Sequence, residues 1–160
     1  MKLSTRRVVA VAVVILGAGL GYLMGATPAT GPASVPVSPL KVEVVLAAGA
    51  AAASGEVAAT FRVTNISAGQ ETFDVWNCDW PSNWVSNNAH IIVPHMECGK
   101  NFVYSETLAP GKAYEHTGVL QIAADTPAGE QAFKVGFQPE GAKAALWSPE
   151  LKITIKAGKP

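Results

Sequence analysis

The segment LKITIK, Leu151–Lys156, alternates apolar and polar residues without a break: Leu151, Ile153 and Ile155 against Lys152, Thr154 and Lys156. A period of two is the period of an extended chain, whose successive side chains point to opposite faces of a sheet. The segment is therefore predicted as a strand buried on one face and wet on the other. The same alternation occurs at Val42, Val44 and Leu46, at Phe61 and Val63 between Arg62 and Thr64, at Phe73 and Val75, and at Phe133, Val135 and Phe137. Turn-forming clusters separate these runs: NISAGQ, LAPGK, DTPAGE and QPEGA. In LAPGK, Pro110 and Gly111 suit the two central positions of a type II turn, because proline holds φ near −65° and glycine accepts a positive φ. After residue 40 no stretch of helical period is long enough to cover a sheet, and the alanine-rich LAAGAAAASGE is interrupted by glycines. The expectation is an all-β chain of about seven or eight strands forming an antiparallel β-sandwich.

The sandwich is assigned to residues 40–157, with a short tail at 158–160. Ahead of it lies VVAVAVVILGAGLGYLMGA, Val8–Ala26, 19 residues without a charge after the basic MKLSTRR. As a helix this run spans about 28 Å, close to the hydrocarbon thickness of a bilayer. It is longer than the apolar core of a usual signal peptide, and Thr27-Pro28-Ala29 is a poor cleavage site. We therefore read one N-terminal transmembrane helix over 8–26, with residues 1–7 cytoplasmic by the positive-inside rule. A removed signal, releasing an exported soluble domain, is the alternative. Gly17, Gly21 and Gly25 fall four apart on one helix face, a spacing that lets a second helix approach closely in lipid. Residues 27–39, TPATGPASVPVSP, have the composition of an extended tether.

Three of the twelve basic residues precede the apolar run, leaving nine against twelve acidic ones in the remainder. That balance offers no basic footprint for nucleic acid. The succession FRVTN (Phe61–Asn65), LAPGKAY (Leu108–Tyr114) and AGEQAFKVGF (Ala128–Phe137) resembles the immunoglobulin-like sandwiches of exported bacterial proteins, including those similar to the BsuPI-type proteinase-inhibitor domain. The resemblance covers most of residues 41–156 and implies an adhesion, assembly, inhibitor or accessory module. It carries over no catalytic residue, and the stretch from Asn77 to Asn101 departs from the pattern.

That stretch holds the candidate chemistry. His90, His95, Met96 and Cys98 lie within nine positions, and all four side chains are able to hold copper or zinc. A blue-copper site uses two histidines, a cysteine and a weak methionine, but the order here is not the cupredoxin order. A zinc set of Cys78, His90, His95 and Cys98 has the right ligand types, yet the cysteines stand 20 apart with no paired-cysteine knuckle. These are the only two cysteines, and both follow the apolar segment, so a Cys78–Cys98 disulfide is the primary reading. His90, His95 and Met96 remain the soft donors of an alternative copper or zinc site. No other cofactor is expected.

Trp76, Trp80 and Trp84 recur every four residues in WNCDWPSNW, but Pro81 and the polar neighbours argue for a strand entering a loop. Trp76 or Trp80 is expected against the disulfide, as a tryptophan packs in immunoglobulin domains. Trp80, Trp84 and Trp147 are alternatively an exposed platform for a partner or a sugar ring, and residues 77–101 are the candidate binding surface. There is no GxSxG, HExxH or phosphate-binding glycine loop. Asp79, Glu97 and Glu106 read as single solvated acids. His116, on the face of Tyr114, reads as a satisfied or surface histidine. NIS at Asn65 matches a glycosylation sequon but is read as turn chemistry. The function expected is a non-enzymatic accessory subunit of a bacterial inner-membrane complex, its immunoglobulin-like domain in the periplasm. A metal-handling protein and a carbohydrate-binding module are the alternatives.

Overall fold

The longest strand, β3 (Gly55–Asn65), shows the predicted alternation in its burial: Val57, Ala59, Phe61, Val63 and Asn65 point inward, and the residues between them face outward. A computed structural model describes residues 38–47, 51–52 and 55–156. The apolar run 8–26 with Gly17, Gly21 and Gly25, the tether up to residue 37 and the tail 158–160 lie outside the described residues. Among the described residues no helix is long and apolar enough to cross a membrane.

On one side of β3 lies β1 (Leu40–Leu46), antiparallel, with Val42 and Val44 inward. On the other side lies β8 (Ala113–Ile122), with Tyr114, Leu120 and Ile122 inward. The short β6 (Ile91–Ile92) pairs with the far end of β8 and completes a four-stranded sheet of order β1-β3-β8-β6.

Facing this sheet are β4 (Glu71–Trp76) paired with β7 (Val103–Leu108), and β5 (Trp84–Ser86) paired with β10 (Val135–Phe137). β10 also pairs with β11 (Leu146–Trp147). β9 (Gly129–Phe133) pairs with β12 (Leu151–Ile155), which is joined by β2 (Ala51–Ala52) in the one parallel pairing among the described residues. Aromatic contacts cross between the two sides: Phe73 meets Tyr114 at 5.9 Å between ring centres, and Phe61 meets Trp84 at 5.1 Å. Buried side chains from β1, from β3 to β10 and from β12 form one apolar core, with Leu146 of β11 packed against it. The described residues are thus nearly all β, built of almost wholly antiparallel sheets.

The alternating run expected as one strand over Phe133–Phe137 is divided at Lys134. Asn87 takes both backbone groups of Lys134: its side-chain Oδ1 accepts the Lys134 N–H at 2.7 Å and its own N–H donates to the Lys134 carbonyl at 3.1 Å. The strand therefore changes partners there, from β12 to β5 and β11. The LAPGK turn has the expected form: Gly111 sits at φ +73° and Lys112 N donates to Ala109 O at 3.0 Å.

Asn65 has no exposed surface. Its Nδ2 donates to Gly69 O at 2.7 Å and to Leu108 O at 2.8 Å, and its Oδ1 accepts from Ser67 N at 2.8 Å. The side chain thus holds two turns together, and its amide is not presented for modification. Asn65→Ala strands the buried Leu108 carbonyl and loosens the bonds to Ser67 and Gly69, and is expected to cost about 2 kcal/mol. Urea denaturation of parent and variant measures this; a change under about 0.5 kcal/mol would remove the bracing role.

Candidate functional site

Between β4 and β5 the chain makes one 3₁₀ turn, Trp80–Asn83, with Pro81 in its first positions, where a missing N–H costs nothing. The turn throws Trp80 and Trp84 onto the same inward residue. Phe61 lies edge-on to both, 5.3 Å from Trp80 and 5.1 Å from Trp84. Trp84 is 3 % exposed and Trp80 is 9 % exposed. The expected platform of Trp80, Trp84 and Trp147 is therefore not formed: two of its members are core residues, and Trp147 alone is exposed, at 46 %, packed over Gly136. Trp76 is half-buried and its indole N–H donates to Glu140 Oε2 at 3.1 Å.

Trp80 lies nearly parallel to His116, 4.7 Å between centres, and against Gly118, where an added Cβ would meet its ring at 2.8 Å. Asn83 is buried beside it. Its Oδ1 accepts from Trp76 N at 2.9 Å and its Nδ2 donates to Gln138 O at 3.2 Å, tying the turn to β4 and to the end of β10.

The cysteines are joined, Cys78 to Cys98, with their Cα atoms 6.1 Å apart. Around the bridge the loop ends are sewn together by Asn77 N to Phe102 O, Phe102 N to Asn77 Oδ1 (both 3.0 Å) and Asp79 N to Asn101 Oδ1 (3.2 Å). Asp79, expected as a solvated acid, is instead the hub. Its side chain is 14 % exposed, Oδ1 accepts from Met96 N at 2.9 Å, and Oδ2 accepts from the Ser82 hydroxyl. Burial raises the Asp79 pKa, but the bonds from Met96, Ser82 and His95 together outweigh it and hold the carboxyl below its usual value.

Asp79, Ser82 and His95 bring together the residue types of a hydrolytic triad, but not its geometry. Ser82 Oγ at 2.9 Å and Asp79 Oδ2 at 3.4 Å both lie against Nδ1 of His95. A relay needs the serine on one ring nitrogen and the carboxylate on the other. Here the three side chains lock the loop.

The same geometry rules out the zinc set that includes both cysteines. His90 Nδ1 lies 3.2 Å from Asp125 Oδ1, whereas His95 is held by Asp79 and Ser82; both sulfurs of the zinc set are in the disulfide. Among the described residues no three His, Cys, Asp or Glu side chains are grouped to hold a metal ion. Met96, next to His95 in the chain, is exposed. The five-residue spacing of the histidines spans β6, which ends at Ile92, and Pro94 follows it.

What the loop does present is apolar. Met96, Phe102 and Val103 are exposed around the bridge. Next to them a groove of about 300 Å³ opens between Trp80, Val93, Pro94 and Met96 on one side and the Thr117–Val119 stretch of β8 on the other. Phe102, Val103 and Val93 gave no sequence signal of exposure or burial, since the pattern around them has neither period. No protein-family model matches the chain, and no curated protein matches it in sequence.

Two outcomes test this description. Reduction, or Cys78→Ala with Cys98→Ala, is expected to lower the unfolding free energy by about 3 kcal/mol, since the bridge closes a loop of 20 residues. Urea curves with and without reductant measure it; coincident curves would mean the Asp79 network holds the loop alone. Burial also lowers the His116 pKa below 6.5, with Glu106 opposing. The folded chain thus disfavours the imidazolium, so stability is complete above that value and falls as pH drops through it toward the depressed one. His116→Phe keeps the stack on Trp80 and removes the proton. Its unfolding free energy is expected to fall less than the parent's between about pH 7 and pH 5, and parallel profiles would assign the dependence to another group.

Proposed function

We propose that the chain is a non-enzymatic accessory subunit, anchored by residues 8–26 in a bacterial inner membrane and presenting an immunoglobulin-like domain in the periplasm. The surface around the Cys78–Cys98 bridge docks on a neighbouring subunit. In the bilayer the face of Gly17, Gly21 and Gly25 packs against that neighbour's helix.

The strand order supports the domain reading. In an immunoglobulin sandwich strands A, B, E and D form one sheet and C, F and G the other. Taking β1, β3, β8 and β6 as A, B, E and D reproduces the four-stranded sheet. The strands β5, β10 with β9, and β12 then take the places of C, F and G. β7 is the departure, an extra strand between D and E that pairs with β4.

The observation that carries the docking reading is the pairing of rigidity with exposed apolar surface. Met96 and Phe102 are 49 % and 57 % exposed, yet the backbone N–H of each is hydrogen-bonded to a side chain beside the bridge, Asp79 and Asn77. A preorganised apolar patch loses little freedom on binding, the condition under which a modest surface gives affinity. A disulfide of this kind suits an oxidising compartment.

A photoreactive residue placed at Met96 or at Phe102 in native membranes is expected to crosslink to another membrane protein. The same residue at Val45, exposed on the outer face of β1, is expected to give no adduct. Mass spectrometry of the adducts reads the result, and equal labelling at all three positions, or none, would end the docking reading.

A further inference from the structure

Resting on that docking reading, we propose that the open edge of β8 takes up an extended segment of a partner protein as an added strand, with one apolar side chain seated in the Trp80 groove. β6 covers only the end of β8, at Ile91↔Ile122 and Ile92↔Gln121. Pro94 then ends the pairing, since it has no N–H for a ladder. Along Ala113–Leu120 this side of β8 has no strand partner among the described residues.

The direction of the free groups follows from one bond. Ala123 N donates to His90 O at 2.9 Å, toward β6. Backbone groups alternate along a strand, so the N–H and C=O of Val119, Thr117 and Glu115 point to that same side, and those of Gly118 and His116 point to β3. Thr117 and Val119 both border the groove. Open edges are usually guarded by a charge, a proline or a bulge. Thr117, Gly118 and Val119 supply none of these.

The occupant's chemistry follows from what borders the groove. Unpaired backbone groups spaced every second residue are met by the backbone of another extended chain. The apolar lining of Trp80, Val93 and Met96 suits an apolar side chain. Outside the lining, Glu106 lies close enough to act on His116, which stacks on Trp80, and it is in no ion pair among the described residues. A strand alternating β-branched or aliphatic residues with polar ones, and carrying a lysine or arginine, matches all three.

The probe is a phage-displayed library of random heptapeptides, selected against the full chain in mild detergent. Enriched sequences are expected to show that alternation with a basic residue. Methylating the backbone nitrogens of a synthetic copy one at a time is expected to weaken binding about tenfold at every second position only, because alternate N–H groups meet the edge. No enrichment, enrichment without alternation, or equal loss at every position overturns the proposal. Val119→Pro removes an edge N–H that β3 does not use and is expected to weaken the peptide by about tenfold or more. Should that variant fail to fold, the methylated series decides. Dimerisation of the chain that Val119→Pro abolishes would give the edge to a second copy and overturn the proposal. Absence of peptide binding by the parent chain, with crosslinks at Met96 and Phe102 present, removes this edge and leaves the docking reading; absence of both removes both.

Discussion

Phe61 has no exposed surface and meets both Trp80 and Trp84 edge-on. Each such pair contributes about 0.5–1.5 kcal/mol beyond the area it buries. The geometry allows one route for the chain that supplies the tryptophans. Four positions apart, they reach one ring only if the backbone between them turns tightly, which the 3₁₀ turn at Pro81 does. Trp80 must then lie on Gly118, where any other residue would drive a Cβ into its ring. Everything after the turn, from β5 to the bridge at Cys98, leaves from that fixed point. The packing also carries costs: the indole N–H of Trp84 and the hydroxyl of Tyr114 are buried without a hydrogen-bond partner among the described residues. Each such group costs about 1–3 kcal/mol, which the surrounding aromatic contacts must exceed.

The strands were legible because a half-buried strand writes its two faces directly into the sequence. Val42, Val44, Phe61, Val63, Phe73, Val75, Ile153 and Ile155 are all buried, as the period of two requires. The pairing of the two cysteines followed from their number and context. The break at Lys134 was not legible, because the side chain that imposes it, Asn87, lies 47 residues away. Nor was the role of WNCDWPSNW. Asp79, Ser82 and Asn83 make the segment look like a solvated loop, yet each spends its polar atoms inside the protein, on Met96, on Asp79 and on Trp76 and Gln138. Polar residues mark a surface only when water is their partner, and composition does not say who the partner is. The histidines misled for the opposite reason: proximity in sequence suggested a cluster, and a strand end followed by a proline sends them to different acids.

The exposed apolar patch and the open edge have one covalent cause. Had the chain continued along β8 after Ile92, the next residues would have paired with Leu120, Val119 and Gly118. That would have closed the sheet over the remaining surface of Trp80. Instead Cys98 is bonded to Cys78, which follows β4 on the opposing side, so the chain must leave β8 within a few residues and cross over. Pro94 makes the departure abrupt, and Asp79 receives the crossing chain at Met96 N. The diversion strips β8 of a partner strand at Thr117 and Val119 and lifts Met96 into solvent. A chain selected only for stability would close that edge, since an unpaired strand risks uncontrolled association. The disulfide, Pro94 and the half-buried Asp79 thus stabilise the crossing chain while leaving Thr117 and Val119 without a strand partner among the described residues.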